Sequence, residues 1–210
     1  MFENATSFNG DGVVNWNIEN ITSLERLFKN NEIFNQNITG WNTSNITNML
    51  NTLYGCDNFN QDISNWDVGN VTHFNGMFFE NKVFDQDLSS WNMVSAQDIN
   101  SMFNGATIFN NGGQPLNWDE KLSNVTDMNG IFSRTSLFNQ PIANWNTSSV
   151  TNMNYIFQNA LAFNQPLNNW NTSSVTSCVS AFFSAESFNQ PLNNWDVSSV
   201  RDMNLSLIHI

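Results

Sequence analysis

Val150-Thr-Asn-Met-Asn-Tyr-Ile-Phe-Gln-Asn-Ala-Leu-Ala-Phe-Asn-Gln-Pro-Leu-Asn-Asn-Trp-Asn-Thr-Ser-Ser174 carries two periodicities in one short segment. Apolar residues at Val150, Met153, Phe157 and Ala160 fall at steps of 3, 4 and 3, which is helical spacing. Ser149 stands just before them as an N-cap. Further on, Trp170-Asn-Thr172 alternates inward and outward like a very short strand. The segment therefore predicts a helix of two or three turns followed by a short strand. Such a helix is too short to persist alone in water, so neighbours must hold it.

Related segments lie on both sides. Tryptophans fall at 16, 41, 66, 91, 118, 145, 170 and 195, at spacings of 25, 25, 25, 27, 27, 25 and 25. A second ladder is Phe8, Phe34, Phe59, Phe84, Phe109, Phe138, Phe163 and Phe188, and a third is Phe28, Leu53, Phe78, Phe103, Phe132, Phe157 and Phe182. A near-constant period in this range predicts an α/β solenoid of stacked coils, each with a short helix and a very short parallel strand. Asp98, Asp127 and Asp202 at the third helical position add the look of a capping box. Pro141, Pro166 and Pro191 lie four positions before a Trp, so the strand is placed around the Trp, after the proline. Gly112, Gly113 and Asp119-Glu-Lys-Leu-Ser123 lengthen loops while the apolar ladders stay in phase.

Composition excludes several classes. The 210 residues are 40% hydrophobic and 11% charged, too apolar for a disordered chain. The net charge of -12, with only 6 basic residues, argues against nucleic acid, because phosphate contacts need Lys and Arg. No run of apolar residues is long enough to span a bilayer, so no membrane insertion is expected within this segment. Cys56 and Cys178 occupy different slots five repeats apart, roughly 24 Å at the spacing of stacked strands. They are read as buried free thiols rather than a disulfide.

The pattern Val-Thr-x-Met-x-x-x-Phe-x-x-Ala-x-x-Phe-Asn-Gln-Pro-Leu-x-x-Trp resembles the DUF285, or BspA-like, leucine-rich-repeat surface proteins. Gln140-Pro-Ile-Ala-Asn-Trp-Asn-Thr147 and Gln190-Pro-Leu-Asn-Asn-Trp-Asp-Val197 carry the likeness best. The resemblance implies a leucine-rich-repeat-like right-handed coil stack in an extracellular or surface protein. It further implies adhesion to a host or neighbouring-cell protein or glycan, with a structural spacer of no specific ligand as the alternative. Residues 1–204 are read as one repeat array, incomplete at both ends. The hexapeptide Leu205–Ile210 is read as a non-native tail, with an authentic truncated end left open, and Leu207 still falls in an apolar slot.

The candidate sites are rows rather than motifs. Gln36, Gln61, Gln86, Gln140, Gln165 and Gln190 form a polar strip that could recognise a ligand or could be a solvated face. The Trp row, Trp16, Trp41, Trp66, Trp91, Trp118, Trp145, Trp170 and Trp195, is read as core, with each ring N–H on a backbone carbonyl; the competing reading is a sugar platform. A Thr row (Thr22, Thr47, Thr72, Thr126, Thr151, Thr176) is read as local capping, and the Asn row after the second Phe ladder as turn support. Asp62 and Asp87, near Asp57, Asp67 and Asp85, repel unless paired or bridged by calcium, but no calcium-binding loop motif is present. His73 and His209 are the only histidines. No catalytic residue, cofactor site or metal site is expected.

Overall fold

The backbone of Val150–Ala160 is not helical. The computed structural model describes residues 2–206, and this segment shows how they are built. Met153, Tyr155, Phe157 and Asn159 donate their N–H groups to the carbonyls of Ser177, Val179, Ala181 and Phe183, at 2.8–2.9 Å. The residues between them close short turns instead, as in Gln158 N–H to Tyr155 O at 3.1 Å and Ala160 N–H to Phe157 O at 3.0 Å. A helix would need each N–H to reach the fourth carbonyl back. Here every second donor is directed to another segment. Tyr155 and Asn159 have φ of 57° and 55°, which a right-handed helix cannot contain.

The same scheme recurs along the chain. Leu24, Arg26, Phe28 and Asn30 donate to Asn48, Leu50, Thr52 and Tyr54, and Phe74, Gly76, Phe78 and Glu80 donate to Asp98, Asn100, Met102 and Asn104. Positive φ falls at matching places: Arg26 and Asn30, Asn51 and Gly55, Gly76 and Glu80, Ser101 and Gly105, Gly130 and Arg134. Asn and Gly tolerate that region with least strain. Ser149, expected as a helix cap, donates its hydroxyl to Ser123 O at 2.7 Å. Asp98, Asp127 and Asp202 accept the backbone N–H two residues on, at Asn100, Asn129 and Asn204.

The expected strand is also displaced. Trp66 N–H closes a turn on Ile63 O, and Val71 N–H one on Val68 O. Parallel pairing occurs instead as isolated bridges through Ser23, Asn48, His73, Asp98, Asp127, Asn152, Ser177 and Asp202, inside the span expected to be helical. Among the described residues regular secondary structure is limited to three 3-10 turns, Val13–Asn15, Asn111–Gly113 and Asp119–Leu122. The α/β leucine-rich-repeat solenoid is therefore corrected: the chain is built from hydrogen-bonded turns, with no coil made of a helix and a strand.

One continuous core runs from Val13 to Phe188. Phe28 stacks on Phe34 at 3.8 Å between ring centroids, Phe103 on Phe109 at 3.9 Å and Phe157 on Phe163 at 4.0 Å. Total exposed area is 8820 Å², less than the roughly 9,900 Å² ordinary for a folded chain of this size. Among the described residues four ion pairs, Arg26–Glu25, Lys29–Glu3, Lys82–Asp57 and Arg134–Glu80, lie on its surface. This compact body corrects the expected repeat module for adhesion, and the spacer alternative with it. Leu207, His209 and most of the suspected tail lie outside the described residues.

Candidate functional site

Most side chains in the candidate rows hold neighbouring segments together. The Trp rings from Trp41 to Trp170 are buried, and Trp16 and Trp195 are half-buried. Trp41 Nε1 donates to Val13 O at 3.0 Å, Trp66 to Ile38 O at 3.2 Å, Trp118 to Leu88 O at 3.0 Å and Trp145 to Leu116 O at 2.8 Å. The half-buried Gln row is engaged as well. Gln61, Gln86, Gln140, Gln165 and Gln190 donate Nε2 to the side-chain oxygens of Asn35, Asn60, Asn110, Asn139 and Asn164, and Gln36 donates to Asn9 O. The same Asn oxygens accept backbone N–H groups, as Asn139 Oδ1 does from Asn164 at 2.9 Å. Thr47, Thr72, Thr151 and Thr176 donate their hydroxyls to the carbonyl of the previous member of their row.

The acidic residues near Asp62 are not gathered into one site. Asp57 pairs with Lys82, Asp67 accepts Gly69 N–H and Asp87 accepts Ser89 N–H. The backbone N–H and then the hydroxyl of Ser64 hold the Asp62 carboxyl below the usual carboxylate range. Among the described residues no group of three or more His, Cys, Asp or Glu is arranged to hold a metal ion. His73 lies exposed on the bridge row, with Nδ1 2.8 Å from Thr72 Oγ1. Both cysteines are buried and free; burial pushes both thiols up, Cys56 furthest.

The insertions break this use of side chains. Asn111 is buried and acts as a hub. Its Oδ1 accepts Leu88 N–H at 2.8 Å, and its Nδ2 donates to Ser89 Oγ at 3.0 Å and Gln114 O at 2.9 Å. The turn Asp119–Leu122 then stands beside a cleft of about 640 Å³, lined by Asp119, Glu120, Asn144, Asn146, Asn169 and Asn171 among others. Asn146 Nδ2 donates to Glu120 Oε2 at 2.7 Å, which pins that carboxylate at the rim.

Asn144 and Asn169 belong to a row whose earlier members, Asn65 and Ser90, donate to the carbonyls of Thr39 and Ser64. Among the described residues the side chains of Asn144 and Asn169 make no such bond, and both are exposed at the cleft. Lys121, the cation between these walls in sequence, is turned away and donates to Trp91 O at 3.2 Å. Sequence reasoning treats the insertion as loop lengthening and does not single out Asp119, Glu120, Asn144 or Asn169. The available signal is the paired carboxylates at the one place where the Trp spacing stretches on both sides.

A family model described as "Mycoplasma protein of unknown function, DUF285" matches residues 1–118 and 113–209. No curated protein and no solved structure matches the chain. The BspA-like leucine-rich-repeat part of the sequence likeness is corrected, because the turn-built backbone has no leucine-rich-repeat pattern.

Proposed function

Because the chain belongs to the DUF285 family, whose description assigns no function, we propose from the cleft itself that it is a non-catalytic binding domain for a cationic group of a partner protein. The carrying observation is a set of polar groups gathered at one cleft: the Asp119 carboxylate and the amides of Asn144 and Asn169, which make no side-chain hydrogen bond among the described residues, beside the Glu120 carboxylate that Asn146 holds at the rim. Carboxylates and amide carbonyls accept hydrogen bonds, and a lysine ammonium or arginine guanidinium only donates them. Lys121 is held elsewhere and does not compete. The net charge of -12 raises the local concentration of cations around the whole body. No helix of the described residues is long and apolar enough to cross a membrane.

Calorimetric titration with trilysine and with a neutral trisaccharide tests the reading. Trilysine should bind, weaken with added salt and lose about tenfold in affinity, roughly 1.4 kcal/mol, in the double variant Asp119→Asn, Glu120→Gln. No binding, or binding unchanged in the double variant, would overturn it. Equal binding of the saccharide would remove its basis in charge.

A further inference from the structure

The sequence contains five Asn–Gly pairs: Asn9–Gly10, Asn75–Gly76, Asn104–Gly105, Asn111–Gly112 and Asn129–Gly130. In such a pair the glycine nitrogen can reach the asparagine side-chain carbon, because no glycine side chain stands in the way. The fold treats the five differently. Gly76 N–H is bonded to Asn100 O at 2.8 Å, Gly105 to Ser133 O at 2.9 Å and Gly130 to Asn154 O at 2.8 Å. Gly112 N–H is bonded to Asp85 Oδ1 at 2.9 Å. Each of these nitrogens is tied to another segment, and swinging it towards its own asparagine breaks a bond that holds the fold.

Gly10 is different. Among the described residues nothing accepts its N–H, although its Cα is buried against the Phe34 ring. Asn9 is exposed. Its side chain is held by Asp11, whose backbone N–H donates to Asn9 Oδ1 at 2.9 Å while Asn9 Nδ2 donates to Asp11 Oδ2 at 2.9 Å. Oδ1 is the oxygen on which negative charge gathers when a nucleophile adds to Cγ, so the Asp11 N–H is already placed where such charge develops.

We infer that Asn9 is a self-modification site, at which the folded chain deamidates through a cyclic imide while its other four Asn–Gly pairs are protected. The Gly10 nitrogen adds to Asn9 Cγ and loses its proton to water. The Cγ–Nδ2 bond then breaks, and ammonia leaves with a proton from solvent. One water opens the ring at either carbonyl, giving aspartate or its isomer with the main chain running through the side-chain carboxyl. The net change is one water consumed and one ammonia released, with no oxidant or reductant. The product carries a new negative charge. In the isomer the main chain around the Asn9 carbonyl, which accepts Gln36 Nε2, is rerouted.

Incubating the native chain at mildly alkaline pH in heavy-oxygen water, followed by peptide mass mapping, tests this. The Asn9–Gly10 peptide should gain three mass units, one from the amide-to-acid change and two from the labelled oxygen. The other four Asn–Gly peptides should stay unchanged. In concentrated urea all five should convert. Asp11→Pro, which removes the main-chain N–H held against Asn9 Oδ1, should slow conversion at Asn9 in the native chain and leave its rate in urea unchanged. No conversion at Asn9 in the native chain, or conversion of the other four pairs at the same rate, would overturn the inference.

Discussion

A single oxygen of Asp85 accepts two backbone N–H groups, that of the row member Asn110 at 2.7 Å and that of the inserted Gly112 at 2.9 Å. Elsewhere in this row an asparagine oxygen takes one backbone donor and one glutamine donor, as Asn110 Oδ1 does from Asn139 and Gln140. The carboxylate thus stands where the insertion has replaced a side-chain donor with a main-chain one. Hydrogen bonds to charged groups each contribute about 1.5–3 kcal/mol. Asp85→Ala should cost about 2 kcal/mol or more in urea denaturation, and Asp85→Asn should recover most of that loss. An alanine variant as stable as the native chain would show that the insertion is held by Asn111 alone.

Trp91 is fully buried and donates Nε1 to Ile63 O at 3.1 Å. Trp91→Ala removes a large side chain from a core with no slack and leaves a buried carbonyl unpartnered. A loss of about 3–5 kcal/mol is expected. Trp91→Phe should cost less, since it keeps part of the ring volume and loses only the donor. Equilibrium unfolding followed by far-ultraviolet absorption checks both.

Gly105 has φ of 76°, and a Cβ placed there would lie 2.7 Å from the Glu80 carboxyl carbon. Gly113 has nearly the same φ, 75°, with nothing within 4 Å. Gly113→Ala should therefore report backbone strain alone, about 1–2 kcal/mol. Gly105→Ala should cost more and disturb the Arg134–Glu80 pair. Equal losses in thermal unfolding would mean that Glu80 moves aside freely.

Burial holds the Cys56 thiol protonated well above its ordinary range. The folded-state value is the raised one, so this contribution is whole below the unfolded-state value of about 8.5 and is lost as pH rises from there towards the folded value. A disulfide reagent at mildly alkaline pH should label Cys56 only at the rate of unfolding. Labelling as fast as in urea would mean that the thiol is open to solvent in the native state.

The apolar slots were legible because they follow from volume: Phe34, Phe59 and Phe84 recur in register and lie fully buried. The backbone was not, because a chain of three-residue turns places Val150, Met153, Phe157 and Ala160 on one side just as a helix does. What separates the two is where the N–H groups go, and apolar spacing is silent on that. A weaker signal was present. Gly76, Gly105, Gly130 and Asn159 sit within the supposed helices, where such residues are unfavourable. They mark the positive-φ positions. The cleft was hidden for a different reason. Asn144 and Asn169 look identical in sequence to row members that hold segments together, and only the structure shows that their side chains stand free at the cleft beside the Asp119–Leu122 turn.

Leu24, Arg26, Phe28 and Asn30 all direct their N–H groups towards higher-numbered residues, and so do Met49, Asn51, Leu53 and Gly55 after them. The peptide units that contain these groups therefore point one way, layer after layer. Each contributes a dipole of roughly 3.5 D, as in a helix; the units of Thr47, Thr72 and Thr151, whose N–H groups point back to Thr22, Thr47 and Thr126, offset part of it, and the net sum builds across segments rather than along one. The face at the Asp202 side carries the positive pole of this array, and the face at the Ser23 side the negative one. The protein thus acquires an electrical polarity from main-chain atoms alone, which no count of its charged side chains would disclose.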